Sequence, residues 1–137
     1  MAIPNLIQRW HQAVKTRNIS ILDELLADDA VMLSPIVHTP QRGKVITKMY
    51  LMGAVQTLGG EHFKYTREIY RDGFAVLEFE TQVDGKSVNG VDIISWNEKD
   101  QITEFKVMIR PLQGINALHK AMGKALEQLK SPHAFGS

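Results

Sequence analysis

The chain has 137 residues, a length that suits one domain around a single core. Its formal net charge is +1 with no basic stripe, so we expect no nucleic-acid partner. The absence of cysteine excludes disulfides, thiolate nucleophiles and cysteine-ligated metals. The apolar runs are too short to cross a bilayer and the N-terminus lacks a signal-peptide pattern, so we expect no membrane partner and a cytoplasmic location.

The first part of the chain has helical periodicity. Apolar residues recur at helical spacing between Ile3 and Val14, which predicts a first helix with Pro4 in its first turn. Ser20 can cap a second helix, which we expect to end at Asp28-Asp29. Those two acids could be metal ligands, but acids at such a turn are more often solvated. A short strand is predicted from Ala30 to Leu33.

The second part changes to the period of strands. A loop from Ile36 to Arg42 leads to a third helix that Gly59-Gly60 closes. The four strands predicted after it are Phe63–Tyr70, Phe74–Val83, Val88–Trp96 and Ile102–Arg110. A final helix follows from about Leu112 to Lys130. The pattern predicts an α+β domain over 1–137, with a curved antiparallel sheet and flexible termini at residues 1–2 and 131–137.

Asp92 is the most informative residue of the chain. It lies between β-branched neighbours in Val91–Trp96, which is typical of an acid on a strand with one face against a core. Desolvation raises the pKa of a buried carboxyl, so Asp92 could be a neutral hydrogen-bond donor at pH 7. Such a donor can hold a substrate oxygen where negative charge develops. The alternative is a structural Asp at a strand edge, in water or satisfied by backbone amides.

Five short stretches, spread over nearly the whole chain, carry a family resemblance. They are Arg9-Trp10, Leu26–Val31, Arg42-Gly43, Val91–Asn97 and Ile102–Phe105. With them the chain resembles the SnoaL-like and ketosteroid isomerase-like branch of the nuclear transport factor 2-like (NTF2-like) superfamily. The resemblance implies an NTF2-like cone, in which N-terminal helices pack on a curved sheet, with an additional C-terminal helix. It implies no single reaction, since the fold hosts isomerases, cyclases, hydratases, carriers and adaptors.

The resemblance also places the isomerase residues on this sequence. The family's general base, an Asp before a proline at the end of the first strand, falls at Ser34, before Pro35. The oxyanion-binding Tyr falls at Trp10, and the protonated Asp that assists it falls at Asp92. Tyr50 lies one residue from a supporting tyrosine position. Since serine does not abstract a proton from carbon without a base beside it, steroid isomerisation by the family's usual route is disfavoured.

Strand alternation predicts the walls of a pocket around Asp92. If Asp92 points inward, so do Ile94 and Trp96. The resemblance places Phe105, Val107 and Ile109 inside the cone as well. Together with Trp10 and Tyr50, these residues predict an apolar pocket for a hydrophobic small molecule with one polar oxygen. The alternative is plain core packing.

The opposite face of the last strand is predicted to be an interface. The resemblance places Glu104, Lys106, Met108 and Arg110 on the outer face of the sheet, where homologous sheets form dimers. We therefore expect a homodimer through this outer face. Whether the C-terminal helix covers the pocket or contributes to a dimer is left open by its apolar stripe.

The histidines are the other candidates for proton transfer. His38 follows Pro35 in the loop, and an unperturbed histidine pKa of about 6.5 suits a base near neutral pH. A solvated loop histidine is the alternative. His119 lies beside the apolar stripe of the last helix, where packing is the simpler account. His62, His119 and His133 share no metal-ligand spacing, and no phosphate loop or nucleophile elbow is present, so we expect neither metal nor cofactor.

Three functions are open at this point. The first is an isomerase, cyclase or lyase for a hydrophobic carbonyl compound, with Asp92 as oxyanion donor and His38 with Ser34 in proton transfer. The second is a carrier that binds a small ligand in the same pocket without chemistry. The third is an adaptor that binds a protein through the outer sheet face.

Overall fold

The computed structural model describes residues 2–130. Met1 and residues 131–137, including His133 and most of the predicted flexible termini, lie outside the described residues. The helices are α1 (Asn5–Thr16), α2 (Leu22–Leu25), α3 (Lys44–Leu58) and α4 (Leu112–Lys130), and a 3-10 turn (Ile19–Ile21) precedes α2. The strands are β1 (Leu26–Leu33), β2 (Gln41–Arg42), β3 (Lys64–Arg71), β4 (Phe74–Val83), β5 (Lys86–Trp96) and β6 (Ile102–Arg110).

The six strands form one sheet in the order β2-β1-β6-β5-β4-β3. Neighbouring strands are antiparallel except for β1 and β6, which run parallel, so the predicted antiparallel sheet is in fact mixed. A parallel pair needs a long crossover, and the chain between β1 and β6 supplies it. Bulges on three of the five strand pairs bend the sheet. The predicted α+β fold with a closing C-terminal helix is confirmed.

The predicted boundaries between Ser20 and Arg42 are wrong in three places. β1 begins at Leu26 rather than at Ala30, so Asp28-Asp29 are exposed strand residues and do not end a helix. The strand starts early because Leu26 is fully buried and pairs with β6. Ser20 does not cap α2, whose N-cap is Ile21 without a side-chain hydrogen bond. The side-chain cap lies on the 3-10 turn before it, where Asn18 Oδ1 accepts the Ser20 amide at 3.2 Å. The predicted loop ends in β2, which pairs with β1.

Helices α3 and α4 pack against each other and against the inner face of the sheet. Their close approach depends on Gly53, because a Cβ there would lie 3.3 Å from the side chains of Leu126 and Met122. The alternation predicted for β5 is present, with Val88, Asp92 and Ile94 buried. The inner face therefore holds the core, and Asp92 belongs to it.

The outer face of the sheet keeps apolar residues at the surface. Ile69 is 72% exposed and Met108 is 54% exposed, and Val91 and Ile93 between them are half-buried. Dimerisation through this face stays a prediction. Across residues 2–130, no helix is both long and apolar enough to cross a membrane.

Candidate functional site

A cavity of about 200 Å³ lies between the helices and the inner face of the sheet. Its wall combines side chains of α1, α3 and α4 with the inner face of β3–β6 and the loop after β1. A single buried water needs roughly 10–15 Å³ on the same kind of measure, so this space is far larger than a hydration site. Nearly all the lining groups are apolar, which makes the few polar ones informative.

Three polar side chains of the wall form one hydrogen-bond chain. Trp10 Nε1 donates to Tyr65 Oη over 2.8 Å, and Tyr65 Oη donates to Asp92 Oδ2 over 2.7 Å. Trp10 is itself held by edge-to-face packing on Phe105, with ring centroids 4.9 Å apart. Asp92 is 6% exposed, and within residues 2–130 nothing hydrogen-bonds to its other oxygen, Oδ1. The hydrogen bond from Tyr65 thus holds one carboxyl oxygen of Asp92, while the other has no partner among residues 2–130.

Burial raises the pKa values of the two acidic groups in this hydrogen-bond chain, Asp92 and Tyr65. The pKa of Asp92 rises from its ordinary value of 3.8 to about 7, because burial disfavours the carboxylate more than the Tyr65 hydrogen bond favours it. The pKa of Tyr65 is raised well above 10 by burial and by the neighbouring Asp92. Near neutral pH, Asp92 therefore exists in both protonation states while Tyr65 keeps its proton. A carboxyl with such a pKa can exchange a proton with a ligand.

The cavity brings together six of the ten residues predicted for the site. They are Trp10, Ser34, Tyr50, Asp92, Phe105 and Val107. The other four are outside the cavity wall in the described part of the chain: His38, Ile94, Trp96 and Ile109. Alternation identifies the face of a strand that points inward, but it does not tell where along that face a cavity opens.

Each of those four residues has a physical reason for its position. Ile94 is on the same face as Asp92, but it is fully buried in the core next to Ala75. Trp96 follows a bulge at the end of β5, and Ile109 lies towards the far end of β6. His38 is exposed, just beyond the four loop residues 34–37 that line the cavity.

Ser34 has a structural role in the loop that lines the cavity. Its Oγ accepts the backbone amides of Ile36 at 3.0 Å and Val37 at 3.3 Å, which folds the loop into a turn. Its hydroxyl proton can still be donated to a ligand. No acid or base of the described chain hydrogen-bonds to Ser34, so the geometry offers no means of activating it as a proton acceptor.

Two polar residues of the wall were not predicted for the site. Tyr65 is the centre of the hydrogen-bond chain, and His119 on α4 lines the cavity instead of being packed in the core. The sequence signal for Tyr65 is alternation: on a predicted strand it lies between the polar residues Lys64 and Thr66, which are exposed in the structure. Nothing local connects it with Asp92, because the contact spans 27 residues and depends on the register of β3, β4 and β5.

The described chain offers no metal site of the common kind. Among residues 2–130, no three His, Asp or Glu side chains are grouped so that they could hold a metal ion. The expectation of neither metal nor cofactor stays a prediction.

We expect Tyr65→Phe to lower the free energy of unfolding by about 1–3 kcal/mol, because the Trp10 N–H and an Asp92 oxygen lose their partner. The pKa of Asp92 should rise further, since the lost hydrogen bond is the contact that lowers it. Urea unfolding and an NMR titration of the carboxyl measure the two effects. Tyr50→Phe is the matched control, because the Tyr50 hydroxyl has no hydrogen bond to a described residue. Equal losses in the two variants would contradict the assignment.

No protein-family model and no curated protein match the chain. Solved structures do match it. A steroid delta-isomerase from Pseudomonas aeruginosa is 33% identical with a TM-score of 0.84, over 89% of this chain and 89% of that chain. An uncharacterized protein with a cystatin-like fold from Silicibacter pomeroyi is 27% identical with a TM-score of 0.83, over 96% of this chain and 90% of that chain.

A more distant structure has the same fold. A putative SnoaL-like polyketide cyclase from Shewanella putrefaciens is 11% identical with a TM-score of 0.63, over 89% of this chain and 88% of that chain. At this identity the likeness concerns the fold alone. The 33% identity to the Pseudomonas aeruginosa protein extends over most of both chains and concerns the family. The chain therefore belongs to the ketosteroid isomerase-like and SnoaL-like branch of the NTF2-like superfamily.

Proposed function

We propose that this protein binds a hydrophobic carbonyl compound and catalyses a proton shift next to the carbonyl group, as an isomerase, cyclase or lyase. The observation that carries the proposal is the Asp92 carboxyl, whose pKa of about 7 arises from burial in the wall of an apolar cavity. A group with a pKa near the working pH is suited to give and take protons. The similar protein from Pseudomonas aeruginosa is a steroid delta-isomerase, which supports chemistry of this kind.

Asp92 acts as the acid at the carbonyl oxygen. In its neutral form it donates a hydrogen bond from Oδ1, and this bond strengthens as negative charge develops on the oxygen. As its own proton moves towards the ligand, the carboxylate that forms is stabilised by the Tyr65 hydroxyl. Tyr65 is in turn oriented by the Trp10 N–H. Every donor of the chain thus points towards the atom on which charge appears.

The proton removed from carbon needs an acceptor other than Ser34. Of the described residues that line the cavity, His119 is the imidazole, and histidine is the commonest general base in enzymes. Under this proposal His119 takes the proton from the carbon next to the carbonyl, and Asp92 gives its proton to the oxygen. The enol that results is converted back when the two residues exchange protons with it in reverse.

The size of the cavity favours a compound of one or two rings. Sites for drug-sized ligands typically measure about 300–1,000 Å³, whereas this cavity measures about 200 Å³. A steroid nucleus has four fused rings and is the less suitable ligand on this measure. The presence of Ser34 at the position of the family's base also argues against a steroid substrate, because serine does not supply that base.

Proton exchange on a model ketone tests the proposal without a known substrate. Wild-type protein in deuterium oxide should accelerate exchange of the methyl protons of acetylnaphthalene. The loss of the proton NMR signal of the methyl group measures this exchange. We expect His119→Gln to lower this acceleration about 100-fold, since a positioned base typically contributes 10²–10⁴. Binding of the ketone should change little. His62→Gln is the control, because that exposed histidine lies outside the cavity wall.

The alternatives give different results in the same assay. Binding of the ketone without accelerated exchange would indicate a carrier, which the structural role of Ser34 favours as the second candidate. Exchange that survives His119→Gln but is lost in His38→Gln would identify His38 as the acceptor. A wild-type protein that binds no ketone at all would refute a ligand site and leave the adaptor function.

A further inference from the structure

Helix α4 has a glycine in its interior that faces the cavity. Gly123 lies well inside the helix, and it lines the cavity wall. Glycine inside a helix is less stable than alanine, because its backbone loses more conformational freedom on folding. A glycine inside α4 therefore lowers the stability of the helix, and we asked which contact requires the absence of a side chain there.

The packing of the protein itself does not supply such a contact. A Cβ at Gly114, earlier in α4, would lie 2.8 Å from the Ser87 carbonyl oxygen, and a Cβ at Gly53 on α3 would crowd Leu126 and Met122. A Cβ at Gly123 would meet no atom within 4 Å, and its backbone is not left-handed. Gly114 and Gly53 thus allow close approach of other groups, whereas the space at Gly123 is open.

The open space lies at the most exposed part of the cavity wall. Among the described residues that line the cavity, only His119 and Gly123 are exposed to solvent. They are one helical turn apart, so they lie on the same face of α4. The missing side chain of Gly123 leaves a notch in the helix, one turn after His119.

We propose that Gly123 determines the size of the ligand. The inference rests on the proposed function and makes the ligand class narrower: a carbonyl compound with two fused rings or an equivalent apolar length. Its oxygen lies at Asp92, and the far end of its ring system occupies the notch at Gly123. A one-ring ketone would leave the notch empty.

Two ketones and two variants test the proposal. The probes are acetophenone and acetylnaphthalene, which present the same carbonyl group on one ring and on two rings. Gly123→Leu should weaken binding of acetylnaphthalene at least about tenfold, because the added side chain fills the space of the second ring. Binding of acetophenone should stay within about twofold. Isothermal titration calorimetry measures both affinities on the full-length protein.

The smaller variant keeps the test independent of misfolding. Gly123→Ala should raise Tm by about 2–4 °C through helix propensity, and it should weaken acetylnaphthalene binding less than Gly123→Leu does. Asn116→Ala is the matched control on the exposed part of α4, and it should raise Tm without changing either affinity. A Gly123→Ala protein with a lower Tm would show that the glycine meets a structural need and would overturn the proposal.

The remaining outcomes separate this inference from the function on which it rests. Equal affinity of wild type and Gly123→Leu for acetylnaphthalene, or an equal loss for both ketones, overturns the role of Gly123 alone. A wild-type protein that binds neither ketone overturns the proposed function, and the role of Gly123 with it.

Discussion

Asp92→Asn is expected to slow the exchange of ketone protons by at least about 100-fold, because removal of one donor from an oxyanion site typically lowers the rate 10²–10³-fold. Asparagine has nearly the shape of a neutral aspartic acid and still accepts the Tyr65 hydrogen bond. It has no acidic proton to transfer, so charge that develops on the ligand oxygen is stabilised less. Binding of the ketone should be weakened much less than the rate, because the apolar wall is unchanged.

Asp29→Asn provides the matched control for this experiment. It makes the same chemical change at an exposed residue of β1 that is not part of the cavity wall, so exchange should stay at the wild-type rate. Undiminished exchange by Asp92→Asn would eliminate the carboxyl as the acid. A loss of ketone binding in parallel with the rate would instead assign Asp92 to ligand binding without catalysis.

The sequence predicts most of the secondary structure because glycine and proline residues mark the ends of the helices and strands clearly. The bounds of β4, β6 and α4 agree with the structure at both ends, where hairpin glycines and Pro111 interrupt the hydrophobic periods. The inward direction of Asp92 also follows from alternation. In contrast, the helix of four residues before β1 is too short for its period to show, and the strand that follows it was placed too late.

The candidate site was predicted less completely because it depends on contacts between distant parts of the chain. The partner of Asp92 is Tyr65, and only the register of three neighbouring strands places the two side chains together. His119 belongs to the wall because α4 packs over the inner face of the sheet beside α3. Neither relation leaves a periodic pattern in the sequence. The role expected for Asp92 rests on the resemblance, whereas its neighbours are seen in the structure.

Asp92 is also expected to make the folded protein less stable as the pH rises. In the unfolded chain the carboxyl loses its proton near its ordinary pKa of 3.8, whereas the folded protein holds the proton up to about pH 7. Between these two pH values, ionisation of the carboxyl stabilises the unfolded state but not the folded state, so the free energy of unfolding falls. The effect is absent below 3.8 and complete above about 7, and three pKa units correspond to about 4 kcal/mol.

Urea unfolding of wild type and Asp92→Asn at about pH 5 and about pH 8 measures this effect. Wild type should lose about 2–3 kcal/mol of unfolding free energy relative to the variant between the two pH values. Other titrating groups are common to both proteins, so their contributions cancel in the difference. Asp29→Asn should follow the wild-type pH dependence. Parallel pH dependences of wild type and Asp92→Asn would show that the pKa of Asp92 is not raised.

The stability and exchange measurements together decide what the buried carboxyl does. An acid that destabilises the fold at neutral pH, where its amide isostere does not, is the kind of residue found at functional sites. If Asp92→Asn is more stable at high pH and has lost exchange, then the raised pKa serves catalysis. If the variant is more stable but exchange persists, then Asp92 has the protonation behaviour of an acid without being the acid of the reaction, and Tyr65 becomes the donor to examine next.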